Sequence, residues 1–226
     1  MTGALARLPL GRLTGGVNAW VTMGAWTTLA LSVAGVAHGR GAAHGADIVL
    51  VDTVGALILP LLAYGLVGAA VGGRSLSRSG LSLVAFGAEP VRAAGATIAV
   101  AAAACAVLGA FIASAVALVA HGSADPARAG DALASAYVGA LGGAAYACWF
   151  CLGATFGARG GGRALFLAVD WALGSVDTAA LVTPRGHLRN LLGGAVPLHL
   201  SGRASSAALI VIACACALLA ARRCRT

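Results

Sequence analysis

Residues 94–120 read AGATIAVAAAACAVLGAFIASAVALVA, a run of apolar and small residues that contains no charged side chain. A helix that crosses the hydrocarbon core of a bilayer needs about 20 consecutive apolar residues. This run exceeds that length, which is typical of a membrane span. The stretch therefore predicts a membrane helix, and the segment before it, 73–93, is predicted as a connection outside the bilayer.

The composition of the whole chain has the same character. It has 226 residues, of which 60% are hydrophobic and 10% charged, and its mean hydropathy is +0.92. A soluble domain has about 25% charged residues, so this is an integral membrane protein. Only helices or closed barrels satisfy the backbone in lipid, and these runs are too long for barrel strands. The sequence predicts one all-α membrane domain, 1–226, with six transmembrane helices at 17–38, 48–72, 94–120, 131–158, 164–182 and 204–221.

The positions of the fifteen arginines predict how the helices are oriented. Cytoplasmic connections carry an excess of basic residues. We therefore expect both termini on the cytoplasmic side of the cell inner (plasma) membrane. The exception is the connection 183–203, whose apolar stretch 188–200 either lies in the outer interface or re-enters the membrane. The predicted inner set is Arg7, Arg12, Arg74, Arg78, Arg92, Arg159, Arg163, Arg222, Arg223 and Arg225, and the outer set is Arg40, Arg128, Arg185, Arg189 and Arg203.

The absence of lysine excludes several kinds of chemistry. A Walker A loop needs a lysine to reach the nucleotide phosphates, and a Schiff base needs a lysine amine. The sequence contains neither a Gly-x-Ser-Gly elbow nor an HExxH motif. The arginines punctuate apolar segments instead of forming one basic face, which argues against nucleic-acid binding. The chain is therefore predicted to be no enzyme and to bind no cofactor of its own.

Two carboxylates within the predicted fifth helix, Asp170 and Asp177, are candidates for an intramembrane polar site. They are seven residues apart and so share one face of a helix. Carboxylates inside membrane segments are costly, and they mark functional sites by default. The alternative is that the helix enters obliquely and both side chains lie near water. Asp52, near the end of the second helix, is predicted to be interfacial.

The cysteine and histidine spacings give weaker signals. Cys148 and Cys151 form one CxxC motif inside an apolar helix, and we interpret them as small buried hydrophobic residues instead of a redox pair. All histidines are predicted on the outer side, and none has the close spacing of a ligand motif, so no metal site is predicted. The histidines are His38, His44, His121, His187 and His199.

The connection 73–93 reads GRSLSRSGLSLVAFGAEPVRA. Its apolar residues interleave with Arg and Ser, which is typical of a short amphipathic helix at the inner membrane surface; a loop that holds lipid headgroups through its arginines is the alternative. Pro90 cannot continue a helix, and it favours an extended conformation at Glu89. The surface helix is therefore predicted to end near Ala88. Glu89 either contacts a partner or caps the third span, where a carboxylate suits the helix N-terminus.

Residues 78–92, RSGLSLVAFGAEPVR, resemble a segment of the transmembrane (permease) subunits of ABC-2 type ABC transporters. In that family a cytoplasmic stretch R-E-x-G-T-L-x-x-L-L-x-x-P-V-x-R follows the second span and leads into the third. Here the distance from Gly80 to Pro90 is one residue longer, and Ser79 replaces the early acidic residue. The stretch 183–194, TPRGHLRNLLGG, is similar to the proline-led stretch between the last two spans of the family.

The resemblance implies a function as the membrane-spanning, pathway-forming subunit of an ATP-driven exporter. In that family the segment docks on a separate cytoplasmic ATPase subunit, which uses ATP and Mg²⁺, and the permease forms a homodimer or pairs with a related permease. Carried over to this chain, the residues that couple to the ATPase partner are Arg74, Arg78, Leu81, Leu83, Phe86, Glu89, Pro90 and Arg92.

Two other functions are compatible with the same residues. An ion-coupled secondary transporter would use Asp170 and Asp177 as its coupling carboxylates. A membrane assembly factor without transport activity would need neither carboxylate. A pathway rich in alanine and glycine is compatible with drugs, lipids, ions or peptides as cargo.

Overall fold

The computed structural model describes residues 2–41, 43–176, 178–194 and 199–225, and over these ranges the chain is helical without any strand. A 3-10 turn, Ala179–Val182, precedes the helix α9. In chain order, the helices are α1 (Thr2–Gly15), α2 (Val17–Gly39), α3 (Gly45–Ala70), α4 (Leu76–Ser79), α5 (Leu81–Ala85), α6 (Pro90–Ala120), α7 (Arg128–Gly153), α8 (Gly162–Leu173), α9 (Pro184–Leu191) and α10 (Gly202–Arg223).

Within the described ranges, five helices are long and apolar enough to cross a membrane: α2, α3, α6, α7 and α10. They confirm the prediction of an all-helical, multi-pass membrane protein. Each corresponds to a predicted span. The largest difference is in the fourth span, which is predicted at 131–158 and observed at Arg128–Gly153.

The ends of the long helices follow from a few residues. Pro90 is the first residue of α6, where its missing N–H is not needed and its fixed φ suits a helix. At the start of α10, the Ser201 hydroxyl accepts a hydrogen bond from the backbone N–H of Ala204 at 3.3 Å, as an N-cap does. After α3 the chain turns through Gly72 and Gly73, which have φ of 64° and 68°, a region that favours glycine.

The first half of α3 widens into a π-helix, Leu50–Ile58, just before Pro60. Proline donates no hydrogen bond, and its ring clashes with the carbonyl four residues earlier, here that of Ala56. A wider turn absorbs this break without ending the helix. The widened segment faces α9, because a Cβ added at Gly55 would lie 2.8 Å from Leu192 Cδ1.

The predicted fifth span, 164–182, is not one helix, and that prediction is wrong. The helix α8 has 12 residues, a length of about 18 Å, whereas the hydrocarbon core of a bilayer is about 30 Å thick. The chain turns at Gly174, whose N–H donates to the carbonyl of Asp170 at 2.8 Å. It then continues through the 3-10 turn into α9.

The helix bundle has two ends, which we name by their charged residues. At the arginine end, Arg12 Nη1 donates to the carbonyl of Ala70 at 3.1 Å, so α1 lies against the last turn of α3. At the aspartate end, the N–H of Ala124 donates to the carbonyl of Ala43 at 3.0 Å. This bond ties the α2–α3 connection to the α6–α7 connection.

Both described chain ends lie at the arginine end. The helix α1 packs there through Arg12, and the last turn of α10 reaches it through Arg223, whose Cζ lies 4.2 Å from the ring centroid of Phe156. Phe156 follows α7 and lies 5.9 Å from the ring of Phe166 in α8. The two ends of the chain and the connections after α3 and α7 therefore share one side of the bundle.

The helices α8 and α9 together run from one end of the bundle to the other. The first turn of α8 lies against the last turn of α7, because a Cβ added at Gly153 would be 3.0 Å from Arg163 Cα. The residues at the end of α9, 191–193, share a cavity with Asp47 and Asp131 at the aspartate end. The chain thus covers this distance with two short helices and a turn.

The contact between α6 and α7 is the most extensive in the bundle. It depends on glycines, since a Cβ at Gly139 would collide with the carbonyl oxygen of Gly109, and a Cβ at Gly143 with that of Cys105. Small residues let membrane helices approach closely enough for their backbones to touch. These two helices form the centre around which α2, α3 and α10 pack.

Candidate functional site

The segment 74–92 forms two short helices, α4 and α5, where the sequence predicts one surface helix. Gly80 separates them with φ −96° and ψ 0°, outside the helical region. Gly87 then turns the chain with φ 86°, a conformation that glycine adopts without strain. The change of direction at Glu89 and Pro90 agrees with the prediction, although α6 begins four residues earlier than expected, at 90 instead of 94.

This segment exposes large apolar side chains outside the five long helices. Phe86 is 92% exposed and Leu81 is 55% exposed, whereas Leu83 is half-buried. An exposed apolar residue on a membrane helix contacts lipid, but α5 is too short to span and lies at an end of the bundle. Phe86 lies among arginines, and aromatic residues and arginine are enriched at protein interfaces.

Charged residues surround these apolar side chains. Arg74, Arg78 and Arg92 are all exposed. Arg92 Nε lies 3.0 Å from Glu89 Oε2, and both side chains of this ion pair are more than half exposed. An exposed pair of this kind contributes about 0–1 kcal/mol, so a partner's carboxylate could replace Glu89 at little cost.

Glu89 occupies the N-cap position of α6, but its carboxylate accepts no capping hydrogen bond from the described backbone. It pairs with Arg92 instead. Of the two roles that the sequence leaves open for Glu89, the side-chain cap is therefore not observed. A carboxylate at this position still interacts favourably with the positive end of the helix dipole.

The first of the short helices is firmly attached to the rest of the bundle. The N–H of Leu76 donates to the carbonyl of Ala154, just after α7, at 2.9 Å. Arg12 Nη2 donates to the carbonyl of Ser79 at 3.2 Å, which links α4 to α1. Burial, together with the nearby charge of Arg74, lowers the pKa of the Arg12 guanidinium from its ordinary value. The segment therefore has a fixed base, α4, and a projecting tip around Phe86.

Two cavities open at the arginine end. A cavity of 360 Å³ lies beside the segment, and its lining includes Arg74, Arg78 and Arg159. A larger cavity of 890 Å³ lies between α1, α2 and α3, with Arg12 and Arg163 in its wall. The guanidinium of Arg163 is already engaged there, because Nη1 donates to the carbonyl of Tyr64 at 3.3 Å. The arginines that line both cavities make this end of the bundle cationic.

Asp170 is fully buried, and it joins three parts of the chain. The hydroxyl of Tyr146, in α7, donates to Asp170 Oδ2 at 3.0 Å. The backbone N–H of Arg185, in the first turn of α9, donates to Asp170 Oδ1 at 3.2 Å. The carboxylate thus connects α8 to α7 and to the N-terminus of α9, where the helix dipole favours negative charge.

The other predicted carboxylates do not join this network. Asp177 lies outside the described residues, so the predicted pairing of Asp170 and Asp177 on one helical face stays a prediction. Asp52 is exposed on the π-helical part of α3, and its interfacial position stays a prediction. His187 is buried in α9 with Nε2 2.9 Å from the carbonyl of Leu181, so it is not a solvated loop residue, and its place on the outer side stays a prediction.

The two cysteines of the CxxC motif are both buried in the last turns of α7. Cys151 has none of its surface exposed and Cys148 has 6%. Their surroundings agree with the interpretation as small buried hydrophobic residues. They lie toward the arginine end, close to Ala154, whose carbonyl accepts from the N–H of Leu76.

One group of chemically active residues is absent from the sequence-based predictions. His44, Asp47 and Asp125 meet at the aspartate end, with their ligand atoms within 4.8 Å of one another. The spacing of His44 and Asp47, three residues apart at the start of a helix, is a signal that places both on one side of it. Asp125 comes from a different connection, and no local spacing points to it.

Searches of known protein families, of curated proteins and of solved structures find no match to this chain. The length and composition of its helices define an all-helical, multi-pass membrane protein. The likeness of 78–92 to ABC-2 permeases rests on the residues quoted above.

Proposed function

We propose that the chain is the membrane-spanning subunit of an ATP-driven exporter of the ABC-2 type, coupled to a separate ATPase subunit. The observation that carries the proposal is the segment 74–92, which presents the almost fully exposed Phe86 among exposed arginines at one end of the bundle. Exposed Phe86 and Leu81 with the arginines around them form a mixed apolar and cationic surface, which is the chemistry a docking surface for a protein partner needs.

The chemistry of the segment suits a protein partner. Phe86 supplies an aromatic anchor and Leu81 adds apolar contact area, and a few anchoring residues carry most of the binding energy in an interface. Arg78 and Arg92 offer charge-assisted hydrogen bonds to carboxylates around those anchors. The partner we infer therefore has an apolar pocket rimmed by acidic residues, and it supplies the ATP and Mg²⁺ chemistry that a chain without lysine cannot supply through a Walker A loop.

We place the arginine end on the cytoplasmic side of the plasma membrane. Both described chain ends and the segment 74–92 lie there, together with most of the inner set of arginines. The positive-inside rule supports this orientation. An ATPase has access to its nucleotide only on that side.

In this arrangement the chain crosses the membrane six times, and the fifth crossing is broken. The helices α8 and α9 run in sequence from the arginine end to the aspartate end, joined near Asp170. Irregular backbone at membrane depth is tolerated where protein buries it. The bonds from Tyr146 and from the N–H of Arg185 to Asp170 supply that protection.

Movement of the partner would pass into the bundle by two routes. Pro90 makes a stiff junction between the tip of the segment and α6. The bond from the Leu76 N–H to the carbonyl of Ala154 connects the base of the segment to the end of α7. Because α6 and α7 are the most closely packed pair, both routes act on the same central unit, and rocking of packed helices is a known route to alternating access.

The subunit is proposed to act as a pair, with itself or with a related permease. In the most apolar stretch of α2, 17% of the residues are buried inside the subunit, against 61% in α7. A peripheral helix such as α2 therefore presents most of its surface to lipid or to a second subunit. A pathway between two copies would use such a face.

The test is co-purification from mild detergent of proteins bound to the wild-type chain and to the double variant Phe86→Ala, Arg92→Ala. We expect the wild type to retain an ATPase with a Walker A sequence. A buried aromatic anchor is worth about 2 kcal/mol, so loss of Phe86 alone weakens binding by about 30-fold. The control is Phe111→Ala, Arg128→Ala, which removes an exposed phenylalanine from the middle of α6 and an exposed arginine from the other end.

The control should bind the partner as the wild type does. Equal retention of the ATPase by the wild type and by the Phe86 variant would overturn the proposal. So would a wild-type chain that inserts in the membrane and brings down no ATPase, a result that would favour a membrane assembly factor.

An ion-coupled secondary transporter is the second candidate, and the burial of Asp170 favours it. Against it, both oxygens of that carboxylate already accept hydrogen bonds, from Tyr146 and from the N–H of Arg185. A coupling carboxylate must exchange its partners for an ion during each cycle. Asp170 is better suited to hold the broken crossing together.

A further inference from the structure

The aspartate end brings together one imidazole and two carboxylates from two separate connections. His44 immediately precedes α3, and Asp47 lies in its first turn. Asp125 lies in the connection between α6 and α7. His44 Nδ1 is 3.9 Å from Asp47 Oδ2 and 3.9 Å from Asp125 Oδ1. These separations are too long for direct hydrogen bonds.

Asp125 is held as a ligand would be held. Its side chain has no exposed surface. Oδ2 accepts hydrogen bonds from the N–H of Gly122 at 2.7 Å and from the N–H of Ala46 at 3.1 Å, which fixes the carboxylate. Oδ1 has no hydrogen-bond donor in the described part of the chain, and it faces His44. A buried, unpaired carboxylate oxygen is costly unless a cation is bound to it.

The surroundings are short of positive charge. Asp131 lies in the first turn of α7 at this end. Its Oδ2 is also buried, and no group in the described part of the chain donates a hydrogen bond to it. Asp47 and Asp131 line one cavity of 210 Å³. Within the described ranges, no arginine lies within 4.0 Å of the carboxylates of Asp47, Asp125 or Asp131. The group therefore has the charge of a site that binds a cation.

We propose that His44, Asp47 and Asp125 bind a divalent transition-metal ion of the Zn²⁺ class at this end of the protein. Imidazole nitrogen and carboxylate oxygen are ligands that Zn²⁺ accepts at about 2.0–2.2 Å, usually four in number. Ligand atoms around such an ion are about 3–4 Å apart. His44 Nδ1 lies 3.9 Å from an oxygen of each carboxylate, so only small side-chain rotations are needed to bind the ion. Three protein ligands leave one position for water. Since His44 and Asp47 are partly exposed, the ion has a path from solvent.

The metal would join two connections that the backbone already holds together. The N–H of Ala124 donates to the carbonyl of Ala43, and Asp125 accepts from the N–H of Ala46. An ion bound between His44 and Asp125 adds a third and stronger link between the α2–α3 and α6–α7 hairpins. The site lies at the opposite end from the segment 74–92, so it does not depend on the proposed exporter function.

The experiment is a Zn²⁺ titration of the full-length protein, purified in detergent and stripped of metal with a chelator, followed by isothermal calorimetry. We expect one ion per chain. Loss of a residue that only supports a ligand costs about 10–100-fold in metal affinity, so His44→Ala and Asp47→Asn should each weaken binding at least tenfold. The controls are His38→Ala and Asp52→Asn, which change the same residue types outside the group.

A second measurement tests the same site through stability. It uses no Asp125 variant, because loss of Asp125 also removes two backbone hydrogen bonds. Zn²⁺ should raise the melting temperature of the wild type and of His38→Ala, and at the same Zn²⁺ concentration it should raise that of His44→Ala by less. No binding by the wild type overturns the proposal. Equal binding by wild type and His44→Ala, or equal loss in His38→Ala, also overturns it.

Discussion

Asp170 shows how a single side chain can decide the path of this chain. Its carboxylate accepts from Tyr146 on α7 and from the backbone of Arg185 on α9, while its own backbone carbonyl accepts from Gly174. A buried carboxylate must have such partners, because an unpaired one would be too costly. The turn after α8 brings one of these donors, the N–H of Arg185, to the carboxylate, and the helix is not continuous there.

The substitution Tyr146→Phe tests this function of Asp170. It removes the donor to Oδ2 and leaves a buried acceptor unsatisfied, which costs about 1–3 kcal/mol. We expect the free energy of unfolding, measured by denaturant titration in detergent micelles, to fall by that amount. The matched control is Tyr137→Phe, an exposed tyrosine on the same helix, which should change the free energy of unfolding by little.

Unchanged stability in Tyr146→Phe would contradict the structural role of Asp170. If Asp170→Asn then abolished ion-driven transport while the protein kept its full stability, the secondary-transporter alternative would be favoured. The two measurements together separate a carboxylate that holds helices from one that carries an ion.

The pair α6 and α7 is the central element of the bundle. The contact is close because Gly109, Gly139 and Gly143 place backbone against backbone. The same pair receives both connections from the segment 74–92, through Pro90 and through Ala154. A change that separates these helices should therefore affect both stability and coupling.

Gly143→Ala is the change that tests this packing. The added Cβ would collide with the carbonyl oxygen of Cys105, and overpacking of this kind costs about 1–3 kcal/mol. We expect a lower melting temperature in detergent. Gly130→Ala on the same helix, where an added Cβ meets nothing within 4 Å, should keep or slightly raise the melting temperature. A Gly143 variant as stable as the wild type would contradict the close approach.

The long helices could be predicted from sequence, because hydropathy reports directly on transfer into lipid. The length of 164–182 fits a span, although the turn-forming residues Gly174 and Ser175 lie in its middle. The path of the chain after this turn could not be predicted locally, because it depends on partners in α7 and α9. The helix α1 was not predicted either. It is held by bonds from Arg12 to the carbonyls of Ala70 and Ser79, which are distant in sequence.

In the candidate sites, too, some features follow from local sequence and others depend on contacts between distant parts of the chain. The turn at Glu89 and Pro90 follows from local sequence and the structure agrees, although α6 begins at 90 and not at the predicted 94. The single surface helix predicted around Phe86 is two short helices. The meeting of His44 with Asp125 follows from the packing of two hairpins, which no local spacing encodes. Likewise, the burial of His187 depends on where α9 packs. A sequence pattern alone predicts that a polar residue between two spans is exposed.

At the scale of the whole molecule, the two ends differ in charge and in what they offer. The arginine end has cationic cavities and an exposed apolar tip, whereas the aspartate end has carboxylates without arginine partners in the described ranges. A subunit driven from the cytoplasm needs a docking surface on that side only. The asymmetry therefore supports the proposed orientation, and it agrees with a docking surface at the arginine end.

The central claim is that Phe86 lies against an ATPase partner in the assembled transporter. The most direct measurement places p-benzoylphenylalanine at position 86 in cells, followed by irradiation and identification of the cross-linked product, with the same residue at position 111 as control. We predict that position 86 captures a protein with a Walker A sequence, and that position 111, exposed on a membrane helix, does not. Capture of lipid alone at position 86, or the same products at both positions, would contradict the account.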